Sequence, residues 1–141
     1  MKVKEIMSTK LKIIEPGETI RFAAEVMSKY GIGSLIVVDS FELSGIITER
    51  DILKAFAAGK SPDTLIKNIM TKKVITITPE TTLEEAARLM LKHNIKRLPV
   101  CKDNRCIGMV TATDLMKYED KLADRLVSLY LMPRKKISGA G

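Results

Sequence analysis

Apolar positions recur along the chain in two rhythms. Short continuous runs occur at Leu35-Ile36-Val37-Val38 and Leu98-Pro99-Val100-Cys101. Each passes through a polar turn, Asp39-Ser40 or Lys102-Asp103-Asn104, into a further apolar stretch from Leu43 or Cys106. Runs of this length bounded by turn residues predict strands. Two more short strands are expected at residues 11–14 and 74–77, stopped by Pro16 and Pro79. Between them the spacing changes. Ile20, Ala23 and Met27, and again Leu83, Ala86 and Met90, share one helical face. They predict helices over about residues 19–30 and 82–93. Thr82 and Glu85 have capping-box spacing. Finally Gly45-Ile46-Ile47-Thr48 and Gly108-Met109-Val110-Thr111 each close a strand with a Thr suited to cap the next helix. Each half therefore reads β-α-β-β-α.

The halves are copies. Ile6-Met7 recurs as Ile69-Met70, Pro16 as Pro79, and Thr19 as Thr82. Ala23-Ala24 recurs as Ala86-Ala87, Gly45 as Gly108, Thr48 as Thr111, and Asp51 as Asp114. One offset carries every pair without a gap, so the chain is a tandem duplication. The expected division is repeat 1 over 1–60, repeat 2 over 61–118, a helical extension over 119–132 and a flexible basic tail over 133–141. A linker at about 58–64 carries Gly59, Ser61 and Pro62. Leu122, Leu126 and Leu129-Tyr130 form an amphipathic stripe in the extension, and Pro133 stops it. A copy of 50 to 60 residues is marginal alone. The expectation is an α+β fold in which two copies pack about a pseudo-two-fold axis, with two related clefts between them.

Composition narrows the class. The chain is 45% apolar and 29% charged, ordinary for a globular protein. No apolar run approaches a membrane span, and the start lacks the apolar core of a signal peptide. The expected location is the cytoplasm. Net charge is +7, which suits an anionic partner, nucleic acid or phosphorylated small molecule. The lysines are scattered, aromatics are 4% and Trp is absent, so stacking platforms for single strands are sparse.

The Thr-x-x-Asp junction is the main candidate chemistry. One reading is a capped helix with Asp complementing its dipole. The other is a cluster of N–H groups, hydroxyl and carboxylate that takes an anion and a diol such as ribose. Its occurrence twice in register favours the second. His93 is the single His and has no evident metal or triad partners. Cys101 and Cys106 fall where repeat 1 has Val38 and Leu43, and read as buried thiols rather than a disulfide framework. Met7, Met27, Met70 and Met90 occupy repeated core positions. No Walker loop, Gly-x-Gly-x-x-Gly or Ser-His-Asp arrangement is present.

Two β-α-β-β-α copies, each closing Gly-h-h-Thr-x-x-Asp (h apolar), resemble a pair of cystathionine beta-synthase (CBS) domains, or Bateman module. Asn94-Ile95-Lys96-Arg97-Leu98-Pro99-Val100 and the repeated opening Ile-Met-Ser/Thr strengthen the resemblance. It implies a non-catalytic regulatory module that binds adenosine-containing ligands: AMP, ADP, ATP or S-adenosylmethionine. By resemblance, Asp51 and Asp114 bind ribose, with Thr48 and Thr111 close by, and Lys96 and Arg97 hold phosphate. Repeat 1 has Gly33-Ser34 at the latter positions, leaving Ser34, with Arg50 as another phosphate contact. Adenine is expected near Ile14, Ile32, Ile46, Ile77, Ile95 and Met109. One cleft is expected to combine Thr48 and Asp51 with Lys96 and Arg97; the other combines Thr111 and Asp114 with Ser34 and Arg50. The implied partners are a second copy and a separate regulated protein. No metal and no catalytic cofactor are expected. The alternative is a nucleic-acid-associated basic protein, whose affinity would fall steeply with salt.

Overall fold

A computed structural model of the chain describes residues 1–131. The basic tail at 133–141 and the last residue of the expected extension lie outside those residues. Repeat 1 runs β1 (Ile13–Ile14), α1 (Ile20–Tyr30), β2 (Ser34–Asp39), β3 (Glu42–Thr48) and α2 (Glu49–Ala57). Repeat 2 runs α3 (Leu83–His93), β4 (Arg97–Lys102), β5 (Arg105–Thr111) and α4 (Ala112–Tyr118), followed by α5 (Asp120–Leu126) and a 3-10 turn, Val127–Leu129. In the first sheet β1 lies parallel to β2, and β2 antiparallel to β3. In the second, β4 and β5 are antiparallel.

The helix ends follow local chemistry. Thr19 and Thr82 cap α1 and α3 by accepting from the N–H of Phe22 and Glu85, each at 3.1 Å. The helices stop at Gly31 and Asn94, both left-handed, at φ 63° and 52°, conformations that Gly and Asn tolerate best. Both hairpins turn through two residues of positive φ, Ser40-Phe41 and Asp103-Asn104. That twist matches paired strands.

The expected first strands differ from expectation. In repeat 1 only Ile13–Ile14 is strand. In repeat 2 the segment 74–77 is reduced to one parallel bridge, Ile77 with Val100. The cause is Pro99. Its counterpart Ile36 donates its N–H to Lys12 O at 3.2 Å. Proline has no N–H to give, so pairing cannot extend back from Ile77.

The repeats exchange their leading segments. Ser8 pairs with Met109, giving N–H···O bonds of 2.9 Å in both directions. Thr71 pairs with Ile46 in the same way, at 2.9 and 3.0 Å. The opening of repeat 1 is thus clamped to β5, and the opening of repeat 2 to β3. These contacts map onto each other under the duplication, the pseudo-two-fold relation anticipated from it. Val3, Ile6 and Met7 join the core of repeat 2, while Ile66, Ile69 and Met70 join that of repeat 1. Glycine is required where the segments cross. A Cβ on Gly45 would lie 2.8 Å from both Met70 Sδ and Thr71 O. One on Gly108 would lie 2.5 Å from Met7 Sδ.

The core of repeat 2 is larger because α5 adds Leu122 and Leu126, and the turn after it adds Leu129. These are the leucines of the amphipathic stripe.

Candidate functional site

The strand β3 ends at Thr48, where α2 begins. Thr48 Oγ1 accepts from Asp51 N–H at 3.2 Å, and Asp51 Oδ2 accepts from Thr48 N–H at 2.9 Å. Thr48 Oγ1 also donates to Asp51 Oδ2 at 3.0 Å. This reciprocal capping box fixes the carboxylate at the mouth of a cleft. The exchanged segment adds Thr71, whose hydroxyl lies 3.3 Å from Asp51 Oδ1 and 3.5 Å from Oδ2. Three donors thus bind a carboxylate with about four acceptor sites. The Thr71 contacts are the longest, so an incoming hydroxyl displaces them most readily.

The cleft holds about 530 Å³, within the usual range for small-molecule sites. Repeat 1 supplies Gly33, Ile46, Thr48, Glu49, Arg50, Asp51 and Lys54. The other wall is Thr71, Lys73, Val74, Ile75 and the stretch Asn94-Ile95-Lys96-Arg97 with Pro99. Five cations, Arg50, Lys54, Lys73, Lys96 and Arg97, face two carboxylates, Glu49 and Asp51. The balance favours an anion. Ile46, Val74, Ile75, Ile95 and Pro99 form an apolar wall. Gly33 leaves room for the charged groups: a Cβ there would lie 3.3 Å from Glu49 Cδ and 3.5 Å from Arg97 Nη2.

Thr48, Asp51, Lys96 and Arg97 are therefore brought together as grouped from sequence, and of the six apolar residues expected near adenine Ile46 and Ile95 line the same cleft. Arg50 differs. It was grouped with Thr111 and Asp114 but lines the Asp51 cleft, because it sits between Thr48 and Asp51 in the first turn of α2. Ile14 and Ile77 are buried in the two cores. Ile32 is half-buried against the repeat 1 core. Ser34 is half-buried at the start of β2, in register with Thr48. Gly33, Glu49, Lys54, Thr71, Lys73, Val74, Ile75, Asn94 and Pro99 were not singled out as site residues. Thr71 carried a signal, since it ends the repeated Ile-Met-Ser/Thr opening.

The second junction has the same box: Asp114 Oδ2 accepts from Thr111 N–H at 3.0 Å, and Thr111 Oγ1 accepts from Asp114 N–H at 3.1 Å. Met109 is half-buried there, bridged to Ser8. Thr113 stands where Arg50 stands in repeat 1. Its Oγ1 lies 3.0 Å from Tyr130 Oη. Lys96 Nζ lies 4.7 Å from the centroid of the Tyr130 ring.

Cys101 and Cys106 are free and in register across the β4–β5 hairpin, half-buried rather than buried as expected. Burial first, and Cys106 second, push the Cys101 thiol up to about 12. His93 is exposed at the end of α3. Among the described residues no group of three or more His, Cys, Asp or Glu could hold a metal. No helix among them is long and apolar enough to cross a membrane.

Fold and cleft define a class: two intertwined β-α-β-β-α repeats enclosing a cationic inter-repeat site. The chain belongs to the CBS domain family, whose model matches residues 3–58 and 66–121. It is 35% identical to the CBS domain-containing protein YhcV of Bacillus subtilis over 114 residues, 80% of this chain and 81% of that protein. The CBS domain pair of protein MJ0100, in complex with 5′-methylthioadenosine and S-adenosyl-L-methionine, superposes with TM-score 0.77 and 36% identity. That match covers 84% of this chain and 94% of the other. The CBS domain protein TA0289 of Thermoplasma acidophilum superposes with TM-score 0.82 and 26% identity, over 94% of this chain and 77% of that one.

Proposed function

We propose that the protein is a non-catalytic sensor that binds an adenosine phosphate in the Asp51 cleft and regulates a separate protein. The observation that carries this is the pairing, in one cleft, of a hydroxyl-accepting carboxylate from repeat 1 with Lys96 and Arg97 from repeat 2. Asp51 accepts a ribose hydroxyl in place of Thr71. Arg97 gives phosphate a planar two-point contact, and Lys96, Arg50 and Lys73 add charge. Adenine lies against Ile46, Ile75, Ile95 and Pro99. The ligands of the MJ0100 pair support an adenosine-containing class. The five cations favour a phosphate ligand over S-adenosylmethionine, whose sulfonium is itself cationic. Ligand acts by favouring one arrangement of the repeats or of the C-terminal extension over another. The test is calorimetric titration with AMP, ADP, ATP and S-adenosylmethionine; saturable AMP or ATP binding is expected, and none would end this reading. Incubation with ATP is expected to give no ADP or AMP above buffer.

The sensor is a homodimer. An apolar groove of about 670 Å³ opens between α1 and α2, lined by Ile20, Ala24, Ile52 and Phe56. Phe56 is 80% exposed and the neighbouring Leu53 67%. In repeat 2 the corresponding helices pack against α5. The α1/α2 face, rather than all four helices equally, is then what a second copy covers.

A further inference from the structure

We propose that Lys96 is shared between the Asp51 cleft and the chain's C-terminal segment, so that a phosphate bound in the cleft draws its ammonium off Tyr130 and loosens that segment. This rests on the ligand reading above and assigns the site's output.

After α5, the Val127–Leu129 turn buries Leu129 and delivers Tyr130 to the first turn of α4. The ring there meets two groups: Thr113 through the hydroxyl, at 3.0 Å, and the Lys96 ammonium, at 4.7 Å. The duplication gives these contacts meaning. Lys96 and Thr113 are the counterparts of Gly33 and Arg50, and both of those line the Asp51 cleft. Tyr130 therefore sits against the equivalent positions on the Asp114 side, and among the described residues no aromatic ring takes that place over Gly33 and Arg50.

Lys96 belongs to both places. It lines the Asp51 cleft, while its ammonium rests over Tyr130. Its backbone is fixed, since its carbonyl accepts from Ala112 N–H at 2.8 Å. Only the flexible four-carbon side chain has to move. A charge-assisted bond to a phosphate oxygen is stronger than an exposed cation–π contact, so the anion wins the ammonium. Tyr130 is then held by Thr113 and by the burial of Leu129 alone. Linkage makes the coupling reciprocal: what holds Lys96 on Tyr130 weakens phosphate binding, and removing the ring tightens it.

The test uses AMP and adenosine as probes on the parent chain, Tyr130→Phe and Tyr130→Leu. Tyr130→Leu is expected to bind AMP about two- to fivefold tighter, the worth of one exposed cation–π contact. Tyr130→Phe keeps the ring and is expected to match the parent. Adenosine, which has no phosphate, is expected to bind all three alike. In the parent, AMP and not adenosine is expected to speed hydrogen exchange across residues 127–131. Unchanged AMP affinity in a folded Tyr130→Leu, or equal loosening by adenosine, overturns the shared lysine. So does AMP binding in the parent with no change in exchange, which leaves the ligand reading standing. Absence of AMP binding in every variant removes both.

Discussion

Asp51 does two things with one carboxylate. It closes the capping box of α2 and faces the cleft. Its removal therefore has a structural cost separate from binding. Asp51→Ala is expected to lose about 1 kcal/mol of stability, the usual net worth of a hydrogen bond such as the one it accepts from Thr48 N–H, read as a lower urea midpoint. Asp51→Asn keeps the shape and is the cleaner binding probe. The thiols make the opposite case, residues whose setting keeps them inert. With Cys101 held at about 12, only about one molecule in ten thousand carries its thiolate at pH 8, by the ordinary titration relation. Alkylation there at pH 8 is expected to be far slower than for a free cysteine; a rate equal to free cysteine contradicts the raised thiol of this half-buried site. Glu80 adds a pH dependence. Hydrogen bonds from Lys2 and Lys4 hold its carboxyl at about 2 instead of 4.5. The folded-state value is depressed, so the tether between the N-terminus and the turn before α3 is intact above pH 4.5. It is lost as pH falls towards 2. Because the pair is exposed, salt weakens it. A carbon-detected titration of Glu80 with a midpoint near its ordinary value would contradict the tether.

At the scale of elements, the duplication made most of the fold legible. Helix positions, both hairpins and the Thr caps follow from spacing and turn residues. Two things did not follow. The first strand of repeat 2 reads as β from Val74, Ile75 and Ile77, yet its partner strand offers Pro99 where a donor is needed. Strand propensity describes one chain segment and says nothing of the donor across the ladder. The exchange of leading segments was also hidden. A repeat offset shows that Ile6-Met7 and Ile69-Met70 are equivalent, not which copy each packs on. The glycines were the available signal, since each faces the other copy's methionine. Gly45→Ala is expected to cost about 1–3 kcal/mol by overpacking, because Thr71 O is backbone and cannot step aside. Gly108→Ala is expected to cost less, its nearest neighbour being the flexible Met7 side chain. Chemical denaturation of both variants checks the order; equal stability to the parent in Gly45→Ala would count against the exchanged packing.

For the whole molecule, the two repeats are alike in sequence and unlike in what covers them. The extension packs on α3 and α4 and leaves α1 and α2 bare. Sedimentation at micromolar concentration is expected to give a dimer for the parent and a monomer for Phe56→Glu; a monomeric parent contradicts the docking of that face. The cleft was half legible. Of its polar core, Thr48 and Asp51 were visible because motif and duplication name them, and Lys96 and Arg97 only through the resemblance to CBS pairs, since the duplication puts Gly33-Ser34 in their place. Lys73 was not, since its place depends on the exchange; Thr71 was marked as part of a repeated motif but not as facing the other copy's Asp51, and Lys54, one helical turn after Asp51 on α2, was passed over. Arg50 was grouped with Asp114 although it lines the Asp51 cleft, beside Thr48 and Asp51 in the first turn of α2. The central claim is that phosphate and ribose are recognised jointly by residues of the two repeats. Calorimetric titration of AMP into the parent, Arg97→Ala and Asp51→Asn tests it most directly. Losing one charge-assisted contact is worth about 1.5–3 kcal/mol, or roughly 10- to 150-fold in affinity. Each variant is expected to bind AMP that much more weakly while keeping the parent's folded spectrum. If both folded variants bind AMP as the parent does, the claim is wrong.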